Sequence, residues 1–339
     1  MTNLQSHEDG SLSDDELRWL ELRAEGGFGV VTTCAAYVGA DGQAWKGELG
    51  IYDDALLPGL RRLAILLQAR GAVPMVQLFH GGVRAASALT GVQVWSASEF
   101  EEERPGFERP RAATEADIAR VIDQFRDAAM RAERAGFGGV ELHGAHGYLL
   151  SQFLSRAMNT RADRWGGTFE NRARLLRETL RAVRGAVAKT FAVGVRVSPE
   201  DFGQARGLDL DETLELAGWL AEDGADFFHA SLWDVGRNTT KRPSEHPIPL
   251  LRAALPARVP LVVAGKVWTK ADGERALGLG ADAVALARSA IANPDWPRRI
   301  ADPAWEPKRP PLTPEELRAR GLSDSFTQYM RNWKGFVTD

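Results

Sequence analysis

The chain has 339 residues, 44% of them hydrophobic and 26% charged, with 34 glycines and 17 prolines, a mixture that excludes a disordered chain, a collagen and a coiled coil. Lys plus Arg number 42 against 46 Asp plus Glu, a net charge of −4, so there is no basic footprint for a nucleic-acid backbone or an anionic membrane surface. A single cysteine, Cys34, excludes an internal disulfide and a cysteine metal cluster; it is compatible with a reducing compartment, and the cytoplasm is the expected location.

Met1–Ser13 is polar and acidic and does not read as a signal peptide. No apolar run approaches the roughly eighteen residues of a membrane-spanning helix. The spacing predicts a first helix at Asp14–Glu25, opened by Ser13 and Glu16 in capping-box register. From there one pattern recurs: an amphipathic helix, a glycine that stops it, then a short apolar run. It appears at Gly27-Phe28-Gly29-Val30-Val31, Gly136-Phe137-Gly138-Gly139-Val140, Gly224-Ala225-Asp226-Phe227-Phe228 and Gly280-Ala281-Asp282-Ala283-Val284. The runs hardly alternate, as expected of parallel strands buried on both faces.

Seven strands are predicted, near Gly29–Cys34, Pro74–Phe79, Gly139–His143, Val193–Ser198, Asp226–Ser231, Leu261–Gly265 and Ala283–Ala287. Helices are predicted between them, at Glu115–Ala135, Glu170–Lys189, Asp211–Glu222 and Lys270–Leu279, the last opened by Thr269 with Asp272. Repeated strand–helix units predict an α/β fold, the TIM (β/α)8 barrel. Its first strand is expected to be absent or incomplete, because only the polar Met1–Gly10 stands before the first helix: either another element fills the first place, or the chain lacks its natural start. No Pro- or Ser-rich linker divides the chain, so one domain over residues 1–339 is expected. Gly82–Ala113 is a long connection of the kind that serves as a lid. Trp305–Asp339 is a Pro-rich tail with a short helix at Thr313–Arg320 and an aromatic end, Tyr329–Trp333.

In such barrels the chemistry gathers where strands end. The ends here are Cys34-Ala35, Gln77 to His80, His143 to Tyr148, Arg196, Ser231, Gly265-Lys266 and Ala287-Arg288. Gly265 allows a close backbone approach, and a short helix near Ser289 would offer free N–H groups to an anion. With Arg288 this reads as a phosphate corner or, more plainly, as a turn glycine and a surface arginine. The segment Glu141-Leu142-His143-Gly144-Ala145-His146-Gly147-Tyr148 carries two imidazoles and a phenol after a strand. These could hold a carbonyl oxygen and donate a proton, ligate zinc, or be satisfied loop histidines beside a packed tyrosine. Arg196 inside an apolar strand calls for a carboxylate partner or an anionic cofactor. Gln77 is either a core amide or a donor–acceptor along a heterocycle edge. Cys34 reads as a buried apolar side chain.

At this cluster the chain resembles the Old Yellow Enzyme family of flavin-dependent ene-reductases. The matching residues are His143-Gly144-Ala145-His146-Gly147-Tyr148-Leu149-Leu150, Gln152-Phe153-Leu154-Ser155, Asn159-Thr160-Arg161 and Gly166-Gly167-Thr168-Phe169-Glu170-Asn171-Arg172. The resemblance covers nearly the whole chain. It implies a single FMN-binding barrel that uses NAD(P)H as reductant and reduces the activated C=C bond of an α,β-unsaturated carbonyl compound (an enone). The implied mechanism is ping-pong, with hydride transfer through flavin N5. By position, Met1, Thr2, Ala35, Gln77 and Arg196 are implied to meet the flavin, and Gly265, Lys266, Ala287 and Arg288 its phosphate. His143 and His146 are implied to grip the substrate carbonyl, and Tyr148 to donate the proton.

Three departures from the family pattern stand out. Ala287 stands where a glycine is common. Thr2 stands where the bacterial His/His branch often has cysteine. Met1-Thr2-Asn3 matches only the end of the family's first strand, so Met1 is expected to be an internal methionine of a longer protein. The tail Tyr329-Met330-Arg331-Asn332-Trp333 resembles that branch, in which a tail arginine enters a neighbour's site; Arg331 is then a substrate contact in a homo-oligomer. Two other readings predict different outcomes. A metal-dependent barrel hydrolase would use His143, His146 and His80, and a flavin-free barrel would follow from the incomplete start.

Overall fold

Glycine-terminated helices followed by apolar runs do build strand–helix units. The computed structural model describes residues 2–103, 106–201, 203 and 205–338. Seven strands form one parallel sheet: β1 Val30–Tyr37, β2 Val73–Phe79, β3 Gly139–Gly144, β4 Ala192–Val197, β5 Phe227–Ser231, β6 Leu261–Ala264 and β7 Ala283–Ala285. Each strand pairs with the next in sequence, from β1 to β7. Helices α1 Asp14–Glu25, α2 Leu57–Ala69, α3 Glu115–Ala135, α4 Phe169–Ala186, α5 Leu210–Glu222, α6 Pro247–Ala254 and α7 Lys270–Gly278 accompany the strands. Among the described residues no strand precedes α1, and no ladder joins β7 to β1. The sheet is a TIM barrel left open by one strand, as the sequence predicts.

Local signals act where they were read, with corrections. Thr269 and Asp272 close a reciprocal capping box at the start of α7. At α1 the Ser13 hydroxyl accepts from Glu16 N at 3.1 Å, but the Glu16 carboxyl turns away to the Ser6 hydroxyl. Half of the expected box is therefore formed. Strand β1 does not stop at Cys34. A register irregularity between Thr32 and Ala35 lets it run on to Tyr37, so Ala35 lies within the ladder opposite Gln77. Helix α4 ends at Ala186, short of Lys189, because Val187 is already extended. Strand β7 stops at Ala285, two residues before the predicted end.

The parallel register fixes what fills the interior. Gln77 stands opposite Glu141, Glu141 opposite Gly194, His143 opposite Arg196, and Arg196 opposite His229. Side chains paired in this way share a face. Gly194 has a steric reason: a Cβ there would lie 2.0 Å from a carbon of the Phe227 ring. Phe227 fills the space that a side chain on β4 would need.

The gap between β7 and β1 is bridged by other means. Arg23 of α1 is buried and donates to Trp19 O at 2.9 Å, Arg320 O at 2.8 Å, Ala290 O at 3.2 Å and Ile291 O at 3.3 Å. Trp19 meets Phe326 edge-on, with ring centres 5.5 Å apart. The segment Gly82–Ala113 carries a 3-10 turn at Gly82–Arg84, a helical turn at Ser87–Thr90, and a two-residue pairing of Trp95–Ser96 with Arg111–Ala112. Trp95 within it is buried. No helix among the described residues is long and apolar enough to cross a membrane.

Candidate active site

The C-terminal ends of the strands surround a cavity of about 350 Å³, in the range typical of small-molecule sites (about 300–1,000 Å³). Thr2, His146, Tyr148, Arg196 and Ser231 line one part. Gly265, Lys266, Ala287 and Arg288 line another, beyond β6 and β7. The chain's own tail adds Phe326, Tyr329, Met330 and Trp333.

After β3 the backbone turns sharply. His146 adopts φ +60, a left-handed conformation uncommon outside glycine. Tyr148 then precedes the short helix Leu149–Leu154. The turn puts the His143 and His146 rings 5.0 Å apart at 88°, and the Tyr148 ring 4.9 Å from His143. Arg84, from the 3-10 turn, lies over the Tyr148 ring at 4.8 Å and donates to His146 O at 3.0 Å. Burial drives both imidazoles well below their ordinary value, and the Arg196 charge adds to the effect. At neutral pH both rings are uncharged. Burial also raises the Tyr148 phenol, against the pull of Arg84, so the phenol keeps its proton.

Beneath this group lies a buried polar chain. Gln77 Nε2 donates to Glu141 Oε1 at 2.6 Å, and His229 Nδ1 lies 2.6 Å from Glu141 Oε2. Burial alone would raise the Glu141 carboxyl, but His229, Arg196 and Gln77 outweigh it and hold it at about 2. Burial keeps the His229 imidazole on the neutral side. The Ser231 hydroxyl accepts from Arg196 Nη2 at 3.0 Å and shares a 2.7 Å hydrogen bond with His146 Nε2. Arg196 Nε and His229 Nε2 are buried without a partner among the described residues.

At the far end, Gly265 is demanded by the chain itself: a Cβ there would lie 2.6 Å from Leu232 O. Lys266, at φ +49, holds its ammonium 5.0 Å over the Trp233 ring and 3.3 Å from Asp234. Ala287 precedes the helix Arg288–Ala292, whose start carries no side-chain cap.

Not every predicted residue reaches the cavity wall. His143, buried against His146 and Tyr148, and Gln77, buried against Glu141, are not among the residues that line it. Ala35 is buried against Phe79 and Tyr148. Arg331 is exposed just past the helix Asp324–Met330, and the tail's aromatic side chains line the cavity instead. Met1 lies outside the described residues. His80 is taken up by Asp41, at 3.5 Å, and by the Trp95 ring, at 4.9 Å. No group of three His, Cys, Asp or Glu side chains with metal-binding geometry occurs among the described residues. No motif in the sequence marks Glu141, His229 or Arg84. A charged residue in an apolar strand points to Arg196, and the same signal is present at Glu141 and His229.

Comparison with known proteins gives consistent results. The model of the NADH:flavin oxidoreductase / NADH oxidase family matches residues 1–304. The probable NADH-dependent flavin oxidoreductase YqiG of Bacillus subtilis is 35% identical, over 99% of this chain and 91% of that protein. An NADPH dehydrogenase of Halalkalibacterium halodurans is 32% identical, over 86% of this chain and 85% of its own length. An NADH:fumarate oxidoreductase of Klebsiella pneumoniae, 34% identical, is longer, and the matched region spans 33% of it. Among solved structures, morphinone reductase in complex with tetrahydroNAD superimposes with TM-score 0.82 and 25% identity, over 96% of this chain and 91% of that one. The old yellow enzyme homologue from Zymomonas mobilis gives TM-score 0.81 and 26% identity, over 96% and 93%.

Proposed function

The chain belongs to the NADH:flavin oxidoreductase / NADH oxidase family and is an FMN-dependent oxidoreductase that takes its electrons from NAD(P)H; from that premise we propose that it reduces the activated C=C bond of α,β-unsaturated carbonyl compounds. Bound FMN supplies a hydride carrier between nicotinamide and alkene. The residues present fit that group. Arg196 presents a buried guanidinium with Nε unpartnered, suited to an electron-rich heterocycle edge. Gln77 and the backbone of Ala35 would hold the ring, with Thr2 beside it. Gly265, Lys266, Ala287 and Arg288 would hold the phosphate, next to an uncapped helix start.

His146, neutral and on the cavity wall, would orient the substrate by a hydrogen bond to its carbonyl oxygen, which replaces the Ser231 hydroxyl there, and His143, neutral and packed against His146 and Tyr148, would join it at that oxygen. Because these donors are preset, they stabilise negative charge as it develops on that oxygen. Tyr148 holds its proton at neutral pH and would deliver it to the α-carbon. Residues 1–339 would form one FMN-binding domain, with 82–113 as a lid, of which Arg84 already reaches the cavity. The tail 305–339 would bring Arg331 to a neighbouring copy's site in a homo-oligomer.

One observation carries the proposal: an uncharged imidazole, a protonated phenol and a buried guanidinium line one cavity, with a second uncharged imidazole packed against the first and against the phenol. Tyr148→Phe is the test. Enone reduction is expected to fall by about 10²–10⁴-fold, the usual weight of a positioned general acid. NAD(P)H oxidation by a quinone, which needs no proton at an α-carbon, is expected to stay near wild type. An equal fall in both assigns Tyr148 another role.

A further inference from the structure

The buried carboxylate at Glu141 has no part in the steps above, yet both of its oxygens are engaged by side chains of two other strands. Its two oxygens are divided between Gln77 of β2 and His229 of β5, each at 2.6 Å. It is also the carboxylate whose charge acts on Arg196. All four side chains come from the strand register, so the arrangement is as rigid as the sheet. We infer that Glu141 is a positioning residue for the cofactor site: it fixes the Gln77 amide and offsets the Arg196 charge, and so lowers the reduction potential of the bound flavin. The inference rests on the placement of Gln77 and Arg196 at the cofactor edge proposed above.

The physical argument is about net charge in a dry place. An arginine alone under an aromatic ring favours whichever form of the ring carries negative charge. A carboxylate on the adjacent strand, paired opposite Gly194 two residues before Arg196, removes much of that field, because little water intervenes to screen either group. With both present, the floor is close to neutral. His229 donates through Nδ1 and leaves Nε2 as the acceptor, so it orients Glu141 without adding charge.

The test uses the FMN-loaded protein, with two readouts that do not depend on turnover: the midpoint potential of the bound flavin and the FMN dissociation constant. Glu141→Gln keeps the shape and removes the charge. Its potential is expected to move positive, so that at the wild-type midpoint the ratio of reduced to oxidised flavin rises by about ten-fold or more. Glu141→Asp keeps the charge but withdraws the oxygens. Its potential is expected to stay near wild type, while FMN binding weakens by about ten-fold from the lost contact to Gln77.

An unchanged potential in Glu141→Gln overturns the inference, as does an equal shift in Glu141→Asp. Should Glu141→Gln fail to fold, Glu141→Asp decides through the same pair of readouts: a wild-type potential with weakened binding supports the inference, and the reverse pattern overturns it. Gln77→Ala separates this failure from failure of the site reading. If it leaves FMN affinity unchanged, Gln77 does not face the cofactor, and the reading falls together with the inference. If it weakens FMN while Glu141→Gln leaves the potential in place, only the inference falls.

Discussion

Glu48 is a carboxyl group that folding has to keep uncharged. One of its oxygens accepts from the backbone N–H of Ala44 at 2.9 Å and of Trp45 at 3.1 Å, and the other is buried without a partner among the described residues. Burial raises the group from its ordinary 4.5 to about 8. A carboxyl raised on folding stabilises the fold fully below its unfolded value. That contribution is lost as pH rises from about 4.5 towards 8. Glu48→Gln keeps the acceptor for both N–H groups and cannot ionise. Between about pH 5 and pH 8 the wild type is expected to lose of order 2–4 kcal/mol more stability than this variant. Urea unfolding at the two pH values measures the gap, and parallel losses would show that Glu48 is not the cause. The same scale explains why the floor of the site went unread. Glu141 and His229 are 88 positions apart, and a charge in a strand announces a need for a partner without naming it. His143, His146 and Tyr148 were legible because a single turn holds all three.

At the scale of elements, Gly194 and Phe227 act as one interior layer. Gly194→Ala puts a methyl group into the Phe227 ring, and overpacking of this kind costs about 1–3 kcal/mol. Phe227→Leu should relieve most of that cost, so the two changes are expected to be less than additive in a double-mutant cycle read by urea unfolding. Strict additivity would mean that the strands shift to admit the methyl. Strands and helices were the most legible part of the chain, because glycine caps and non-alternating apolar runs are local signals. The ends were less so. Strand β1 runs to Tyr37 through an irregularity whose reward is pairing with β2, and nothing near Cys34 in the sequence marks it. Glu16 sits in capping-box spacing, but the Ser6 hydroxyl takes its carboxyl instead. Tertiary contacts decide such competitions.

For the whole molecule the decisive feature is the open side of the sheet, where β1 and β7 do not pair. Arg23 crosses it, and burial pulls the guanidinium down to about 9 while its two Nη groups donate to carbonyl groups of α1, the helix Arg288–Ala292 and the tail. Arg23→Met keeps much of the apolar stem but leaves those carbonyls without a donor, at a cost of at least about 2 kcal/mol. Faster FMN release is expected with it, because Arg288 begins the helix that Arg23 grips, and stopped-flow flavin fluorescence would follow the release. An unchanged release rate would place the cofactor's exit elsewhere. This clasp joins a cation to neutral oxygens, with no counter-charge for dissolved ions to shield. Concentrated salt that strips the outer ion pairs should therefore leave the open side bridged, and the wild type should outlast its variant by the same margin in dilute buffer and in brine.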